Sequence, residues 1–191
     1  MSGHVHGLCG LVLAAGAGSR FGGPKALALD ADGTPWSALA VHMLVDAGCD
    51  RVFVALGAGS AEAAALVPAH AETVLVEDWA MGLSATLRAG IAAASRTPAE
   101  ALVITPVDTP SAPVSAVTRL LAAIGPSLSD GCAQATYFGR PGHPVIIGRR
   151  HWSALVETLT GDRGARAYLV DNGVLDVECG DLWDGADVDA R

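Results

Sequence analysis

The chain has 191 residues, of which 51% are hydrophobic and 5% aromatic, so alanine, valine and leucine must form most of its core. A chain of this length fits one domain, residues 1–191, whose core needs no disulfide or metal for stability. The formal net charge of −8 argues against general binding to nucleic acid or to an anionic membrane surface.

Short apolar runs alternate with helical segments in the first two thirds of the chain. Their continuous apolar character is typical of strands buried on both faces of a parallel sheet. We predict four such strands, at residues 8–14, 51–57, 72–77 and 101–107. The predicted helices cover residues 36–47, 60–66, 84–95 and 113–124, with Ser60 and Ser84 as N-caps.

The last third of the chain is less regular. Residues 132–138 and 144–147 are predicted strands, joined by a turn at residues 139–142, and they indicate a small antiparallel excursion. Helices at 149–159 and 163–170 and a strand at 174–179 complete the prediction. The order of elements predicts an α/β fold, a Rossmann-like three-layer α/β/α sandwich with a mostly parallel sheet.

The four cysteines form no Cys-x-x-Cys pair, which favours reduced thiols in a cytoplasmic protein. The first nineteen residues contain no Asp, Glu, Lys or Arg, but they lack the positive region of a signal peptide. No uncharged apolar run elsewhere approaches the ~20 residues that span a bilayer. We therefore expect a soluble, cytoplasmic protein without a nucleic-acid or membrane partner, and we assign the four tryptophans to packing.

A glycine-rich loop follows the first strand and ends at the only lysine of the chain, which otherwise has eleven arginines. Glycines allow backbone N–H groups to approach a phosphate, and a flexible ammonium can neutralise a polyphosphate. These features predict a nucleoside triphosphate site in the segment Leu13-Ala14-Ala15-Gly16-Ala17-Gly18-Ser19-Arg20-Phe21-Gly22-Gly23-Pro24-Lys25.

This loop departs from the two best-known nucleotide motifs. Phe21 stands where a dinucleotide fingerprint has its third glycine, and Gly57 stands where an acidic residue would end the second strand. Ala26 replaces the Ser or Thr that follows the lysine of a P-loop. The departures argue against a dehydrogenase and against a P-loop NTPase.

The loop instead resembles the L-A-A-G-x-G/S-x-R-F/M-G-x-x-K signature of MobA-like nucleotidyltransferases, and it is most similar to their molybdenum cofactor cytidylyltransferase branch. Thr109 stands where that family has the glutamine of Asp-Gln-Pro, which puts any contact of the glutamine in doubt. Other similar segments follow in the family's order over nearly the whole chain: residues 81–90, 107–110, 141–144, 160–166 and 187–189.

The resemblance implies a nucleotide-diphospho-sugar transferase-like fold and a Mg²⁺-dependent reaction, with Mn²⁺ as a possible substitute. CTP and a molybdopterin-type cofactor would give the cytosine dinucleotide form and pyrophosphate. A molybdenum hydroxylase or its accessory protein is the implied protein partner. The Ala14-Ala15-Gly16 start of the loop, rather than the Ala-Gly-Gly of the guanylyl branch, favours CTP by resemblance alone.

The resemblance also assigns roles to residues. Asp108 would bind the metal together with Asp187 or Asp189, and Arg20 and Lys25 would neutralise the triphosphate and the leaving pyrophosphate. The acceptor side is assigned to His143, Arg163 and Arg166. The implied nucleotide-binding residues are Leu13, Ala14, Ala15, Gly16, Gly18, Ser19, Arg20, Lys25, Ser84 and Thr86.

Several alternatives stay open at this point. The chain could use GTP or another phosphorylated acceptor, it could carry a nucleotide or cofactor without catalysis, or, less in keeping with the loop, it could be an NAD(P)-dependent oxidoreductase. Individual residues also have structural alternatives. Arg20 could form a surface salt bridge, Ser84 could only cap a helix, and Asp187 could lie in a frayed tail.

Overall fold

The computed structural model describes residues 7–189 and contains a seven-stranded mixed sheet. The strand order is β3-β2-β1-β4-β6-β5-β7. Every neighbouring pair is parallel except those made by β6, which runs antiparallel to both β4 and β5. The strands are β1 (Leu8–Ala14), β2 (Arg51–Leu56), β3 (Glu72–Leu75), β4 (Ala101–Pro106), β5 (Cys132–Tyr137), β6 (Arg140–Gly148) and β7 (Leu175–Glu178).

Helices cover both faces of the sheet, so the three-layer sandwich is confirmed. One core contains Leu8 and Val12 of β1 together with residues of α1 and α4, and the other contains Leu11 of β1 with residues of α3, α5 and α6. Alternate β1 side chains enter opposite cores because successive residues of a strand point to opposite faces. The helices are α1 (Trp36–Asp46), α2 (Ser60–Ala64), α3 (Leu83–Ser95), α4 (Val114–Ile124), α5 (Trp152–Thr158) and α6 (Arg166–Asp171).

The predicted turn at residues 139–142 is wrong. Strand β6 already begins at Arg140, so the hairpin turn consists of Phe138 and Gly139 alone. Both residues have positive φ angles, 54° and 75°, which is the backbone shape of the two-residue turns that match the twist of a hairpin. Glycine suits the second position, whereas Phe138 is an unusual residue for the first, and this concealed the turn in the sequence.

The predicted N-caps are also wrong. Gly59 precedes α2 and Gly82 precedes α3, so Ser60 and Ser84 lie inside their helices and make no capping hydrogen bond. Both glycines have positive φ angles, which a serine N-cap would not adopt. Helix α6 begins at Arg166 instead of residue 163, because Thr160 and Arg163 pair across a tight turn.

The sheet order places two loops side by side. Strands β1 and β4 are parallel neighbours, and Leu13 of β1 pairs with Pro106 of β4 at their carboxyl ends. The glycine loop and Asp108 therefore leave the sheet next to each other, at the edge where open α/β sheets bind ligands. Among residues 7–189, no helix has the length and apolarity required to cross a bilayer.

The contact between α3 and β1 is tight enough to test by adding one methyl group. A Cβ at Gly90 would lie 2.3 Å from Cδ2 of Leu11, which is fully buried. We expect Gly90→Ala to lower the free energy of unfolding by about 1–2 kcal/mol, because overpacking outweighs the ~1 kcal/mol that alanine gains over glycine in a helix. Urea unfolding followed by circular dichroism measures the change.

Ala92→Gly provides the control for this prediction, since Ala92 is exposed on the same helix. We expect this variant to lose about 1 kcal/mol in the free energy of unfolding, which measures helix propensity alone because an exposed side chain makes no core contacts. A Gly90→Ala variant that is more stable than the wild type would show that Leu11 repacks freely.

Candidate active site

The glycine loop is held in one shape by its own backbone. The carbonyl oxygen of Gly18 accepts hydrogen bonds from the N–H groups of Phe21, Gly22 and Gly23, at 2.9–3.1 Å. Gly18 has a φ of +59°, and a Cβ there would lie 1.9 Å from the Gly23 carbonyl oxygen. This position therefore requires glycine, and the tight turn brings Lys25 back beside the end of β1.

Phe21 anchors this turn in the protein. Its ring is 5% exposed and lies 5.3 Å from the Trp36 ring, centroid to centroid. The Lys25 ammonium lies 5.9 Å from the Phe21 ring centroid, within range of a cation–π contact. The residue that breaks the dinucleotide fingerprint thus connects the loop to the core and lies beneath the lysine.

Lys25 bridges two carboxylates that are far apart in sequence. Its Nζ donates to Asp108 Oδ2 at 2.7 Å and to Asp189 Oδ1 at 2.9 Å. Burial alone would lower the pKa of Lys25, but the hydrogen bonds to Asp108 and Asp189 outweigh it and raise that pKa. The same hydrogen bond lowers the pKa of Asp189, with a smaller contribution from Arg20. Lys25 is therefore a fixed cation, and Asp189 a fixed anion, at neutral pH.

The C-terminal segment completes a cluster of three carboxylates. Carboxylate oxygens of Asp108, Asp187 and Asp189 all lie within 4.8 Å of one another. The backbone N–H of Val188 donates to the Asp108 carbonyl oxygen at 2.9 Å, which holds the segment against the end of β4. Both Asp187 and Asp189 therefore lie beside Asp108, and Asp189 is the one that contacts Lys25.

A cavity of about 480 Å³ opens beside this cluster. Nine of the predicted site residues line it: Leu13, Ala14, Ala15, Gly16, Gly18, Lys25, Thr86, Asp108 and His143. Ala17, Ala26, Trp79, Ala80, Gly82, Leu83, Pro106, Val107 and Asp162 complete the wall. The loop, the lysine and the carboxylate that the sequence singled out are thus brought together around one space.

Other predicted residues lie outside this wall. Ser19 and Arg20 are exposed on the outer side of the loop. Ser84 is buried, and its backbone N–H donates to the Gly161 carbonyl oxygen at 3.0 Å. Arg163 is exposed and lines no described cavity, whereas Arg166 lines a second, neighbouring one.

The second cavity has a volume of about 270 Å³ and shares Leu13, Leu83 and His143 with the first. Its remaining wall comes mainly from α3, β5, β6 and the start of α6, and it is mostly aliphatic. The polar groups in it are few: Gln134, His143 and Arg166. The two cavities meet at His143, which places two ligand-sized spaces end to end.

His143 is held between the two cavities by strand β6. Its carbonyl oxygen accepts a hydrogen bond from the buried Tyr137 hydroxyl at 2.7 Å, and its peptide bond to Pro144 is cis. The ring is only partly exposed and protein atoms surround it, so loss of solvent lowers its pKa against the raising effect of Asp108 and Asp187. The imidazole is therefore neutral at pH 7.

Several wall residues were not among the predicted site residues, including Trp79, Asp162, Gln134 and Leu83. Trp79, assigned to packing, and Asp162 line the first cavity, and Gln134 lines the second. Leu83 lies in both. Gln134 carried a signal, since it is the only glutamine of the chain and lies between two alanines of a predicted strand. Leu83 and Asp162 lie in segments 81–90 and 160–166, whose resemblance to the family was their signal, whereas Trp79 carried none.

Comparison with known proteins agrees with this geometry. The sequence matches the MobA-like NTP transferase domain family over residues 10–175. The chain therefore belongs to this family, and its enzyme class is nucleotidyltransferase.

Three relatives cover nearly the whole chain. Nicotine blue oxidoreductase of Paenarthrobacter nicotinovorans is 35% identical over 94% of this chain and 91% of its own. The crystal structure of an Rv0371c homologue from Mycobacterium sp. strain JC1 is 30% identical, with a TM-score of 0.79 over 96% of this chain and 90% of that one. The manganese complex of Mycobacterium tuberculosis Rv0371c is 27% identical, with a TM-score of 0.69 over 91% and 88%.

The lowered pKa of His143 predicts a pH dependence of stability. Below its ordinary value of about 6.5, the unfolded chain binds a proton that the native imidazole does not. The free energy of unfolding should therefore fall as the pH is lowered from 7 to 5, by about 1.4 kcal/mol for each unit that separates the two pKa values. His143→Asn removes the group and should flatten this fall, as measured by urea unfolding at several pH values.

His70→Asn is the matched control, because His70 is exposed and lines neither cavity. It should retain the wild-type slope. Equal slopes in the wild type and in His143→Asn would show that the His143 pKa is not lowered in the native state.

Proposed function

We propose that this protein transfers a nucleotidyl group from an NTP, most favourably CTP, to a phosphorylated acceptor of the molybdopterin type and releases pyrophosphate. The observation that carries the proposal is Lys25, held by Asp108 and Asp189 at the mouth of the glycine loop. A fixed cation beside the backbone amides of a glycine-rich loop suits a triphosphate. Asp108 and its neighbours suit the metal ion that accompanies one.

In this mechanism the loop binds and orients the triphosphate. The segment from Ala15 to Gly18 lines the first cavity, and its backbone supplies N–H donors at little entropic cost because the turn is already fixed. The acceptor's own phosphate oxygen attacks the α-phosphorus, and the bond to pyrophosphate breaks. Since the nucleophile is already an anion, the chain needs no general base, and positioning and charge neutralisation provide the rate.

Lys25 neutralises the leaving pyrophosphate in this proposal. Its Nζ donates to Asp108 and Asp189, which leaves the third N–H of the ammonium for a phosphate oxygen. Arg20 lies close enough to lower the pKa of Asp189, and it can add a second positive charge from the outer side of the loop. The neutral His143 ring stands where the two cavities meet and can donate a hydrogen bond to the acceptor phosphate.

The carboxylate cluster fits a divalent metal. Three carboxylates within 4.8 Å supply hard oxygen ligands, which Mg²⁺ and Mn²⁺ prefer. The manganese complex of the Rv0371c relative supports this assignment. When bound, the ion would neutralise phosphate charge. Asp108 would hold it together with Asp187 or Asp189, and Lys25 would give up its contact with Asp108, with Asp189 or with both.

Loss of Asp108 should abolish transfer without unfolding the protein. We expect Asp108→Asn to lower kcat/KM for pyrophosphate release from Mg²⁺-CTP and a molybdopterin acceptor by at least about 100-fold, the scale of losing one preorganised electrostatic contact. Lys25→Ala should raise KM for CTP and lower kcat as well. Pyrophosphate release is measured with all four NTPs, and preference for GTP would change the product while retaining the reaction.

Asp181→Asn is the control, because Asp181 is an exposed carboxylate paired with Arg119 away from both cavities. It should turn over at the wild-type rate. Pyrophosphate release that persists in Asp108→Asn would contradict the mechanism, and NTP binding without any release would identify a carrier.

The relative named nicotine blue oxidoreductase supports a second candidate, an oxidoreductase activity. The site offers less to a nicotinamide dinucleotide, because Gly57 at the end of β2 has no room for an acidic side chain. A Cβ there would lie 2.5 Å from both the Ala15 carbonyl oxygen and Trp79 Cβ. Titration with NADH and NADPH, followed by their fluorescence, separates the two candidates. Tight binding that resists competition by Mg²⁺-CTP would favour the oxidoreductase.

A further inference from the structure

One polar side chain of the second cavity wall, Gln134, lies at a position of β5 that faces an apolar core. Gln134 lies on β5 between Cys132 and Thr136, on the face that the buried core of α3 and α5 covers. Its cross-strand neighbour on β6 is Val145, which belongs to that core. Gln134 is only 7% exposed. Burying an amide costs free energy unless its hydrogen bonds are satisfied.

Within residues 7–189, the amide of Gln134 makes one hydrogen bond. Its Nε2 donates to the Gly142 carbonyl oxygen at 3.3 Å, a long distance for such a bond. A glutamine side chain has two N–H donors and a carbonyl acceptor. One N–H donor and the Oε1 acceptor therefore make no hydrogen bond within residues 7–189, on a residue that lines the second cavity. An amide with both groups available suits a partner that presents one acceptor and one donor next to each other.

The other side chains of the cavity wall indicate what the rest of this partner must look like. Leu83, Leu87, Ile104, Val145 and Leu169 line the same cavity. Aliphatic side chains on several sides favour a partner with a flat or compact apolar body. Arg166 lies in the wall as well and is exposed, so it can pair with a negatively charged group of this partner that extends towards solvent.

The position of the cavity indicates which substrate occupies it. The glycine loop and Lys25 belong to the first cavity and not to the second. A nucleotide whose phosphates lie on the loop therefore leaves the second cavity to the other substrate. The two spaces join at Leu13, Leu83 and His143, so a phosphate carried by that substrate can reach the nucleotide.

We infer that Gln134 determines acceptor specificity: it binds, through paired hydrogen bonds, the edge of a planar heterocycle that fills the second cavity. The inference rests on the proposed function for calling this ring the acceptor. The hydrogen-bonding pattern is the one by which a glutamine amide reads a base edge. An acceptor whose ring lacks adjacent donor and acceptor groups would leave the amide unpaired and bind weakly.

Two fused-ring probes test this inference in the full-length protein. Pterin carries an amino and oxo edge, whereas quinoxaline has a similar pair of fused rings without it. We expect pterin to bind at least about tenfold more tightly than quinoxaline, the lower range for one bidentate contact. Fluorescence titration for pterin and calorimetry for quinoxaline measure the two affinities, each with and without saturating Mg²⁺-CTP.

Gln134→Leu keeps the approximate volume of the side chain and removes its polar edge. It should weaken pterin about tenfold, leave quinoxaline unchanged or tighter, and leave Mg²⁺-CTP binding as in the wild type. Ala165→Leu adds bulk to the same cavity wall without changing the amide, and it should weaken both probes. The urea midpoint of each variant shows that it is folded.

The outcomes separate this inference from the proposed function. Equal pterin affinity in the wild type and in Gln134→Leu overturns the inference even if nucleotidyl transfer is observed. Pterin that competes with CTP, instead of binding together with it, also overturns it, since the cavity would then belong to the nucleobase. Pterin binding that depends on Gln134 in a protein without transferase activity retains the ring site and overturns the proposed function alone.

Discussion

The contact of Lys25 with Asp108 and Asp189 is the interaction on which the site depends. The Lys25 and Asp108 side chains are only 15% and 19% exposed, so each would be costly to bury without the other. Asp189 is 62% exposed, and an ion pair in that position contributes little stability by itself. The Lys25–Asp108 pair therefore fixes the geometry, and Asp189 attaches the C-terminal segment to it.

This segment is positioned by packing as well as by charge. The Trp183 ring lies 5.2 Å from the Tyr137 ring in an edge-on arrangement. At Gly185, φ is +75°, and a Cβ there would lie 2.3 Å from Tyr137. The chain can pass over Tyr137 only because this residue has no side chain. Tyr137 in turn donates to the His143 carbonyl oxygen, so one buried tyrosine supports both the carboxylate cluster and the boundary between the two cavities.

Charge also explains how an acidic protein can bind an anionic substrate. The net charge is −8, but the cations near the loop are concentrated at one sheet edge, where Lys25 and Arg20 lie close to Asp189. In the absence of substrate the carboxylates neutralise Lys25. A metal ion that occupies these carboxylates would make the same lysine available for phosphate. The three carboxylates can thus pair either with Lys25 or with a metal ion. In the proposed function, the metal ion takes the place of Lys25, and Lys25 moves to the phosphates.

The sequence predicted those elements that the local pattern of apolar and polar residues determines. Apolar runs located β1, β2 and β4 within a residue, and the glycine loop and Asp108 could be placed at one sheet edge because both follow parallel strands. The Phe138-Gly139 turn was missed because phenylalanine rarely adopts a positive φ. The glycines before α2 and α3 were missed because a serine near the start of each helix is the commoner N-cap. The position of Gln134 in the second cavity could not be predicted, because it depends on which distant elements pack together.

The most direct test of the central claim follows the Lys25 ammonium itself. Because Lys25 is the only lysine of the chain, labelling with ¹⁵N-lysine gives a single side-chain signal, and its ion pairs should slow exchange of its protons enough for detection by NMR. The account predicts that Mg²⁺-CTP shifts this signal, that Asp108→Asn alters it before nucleotide is added, and that NADPH leaves it unchanged. A signal that responds to none of the four Mg²⁺-bound NTPs would contradict the assignment of Lys25 to a triphosphate.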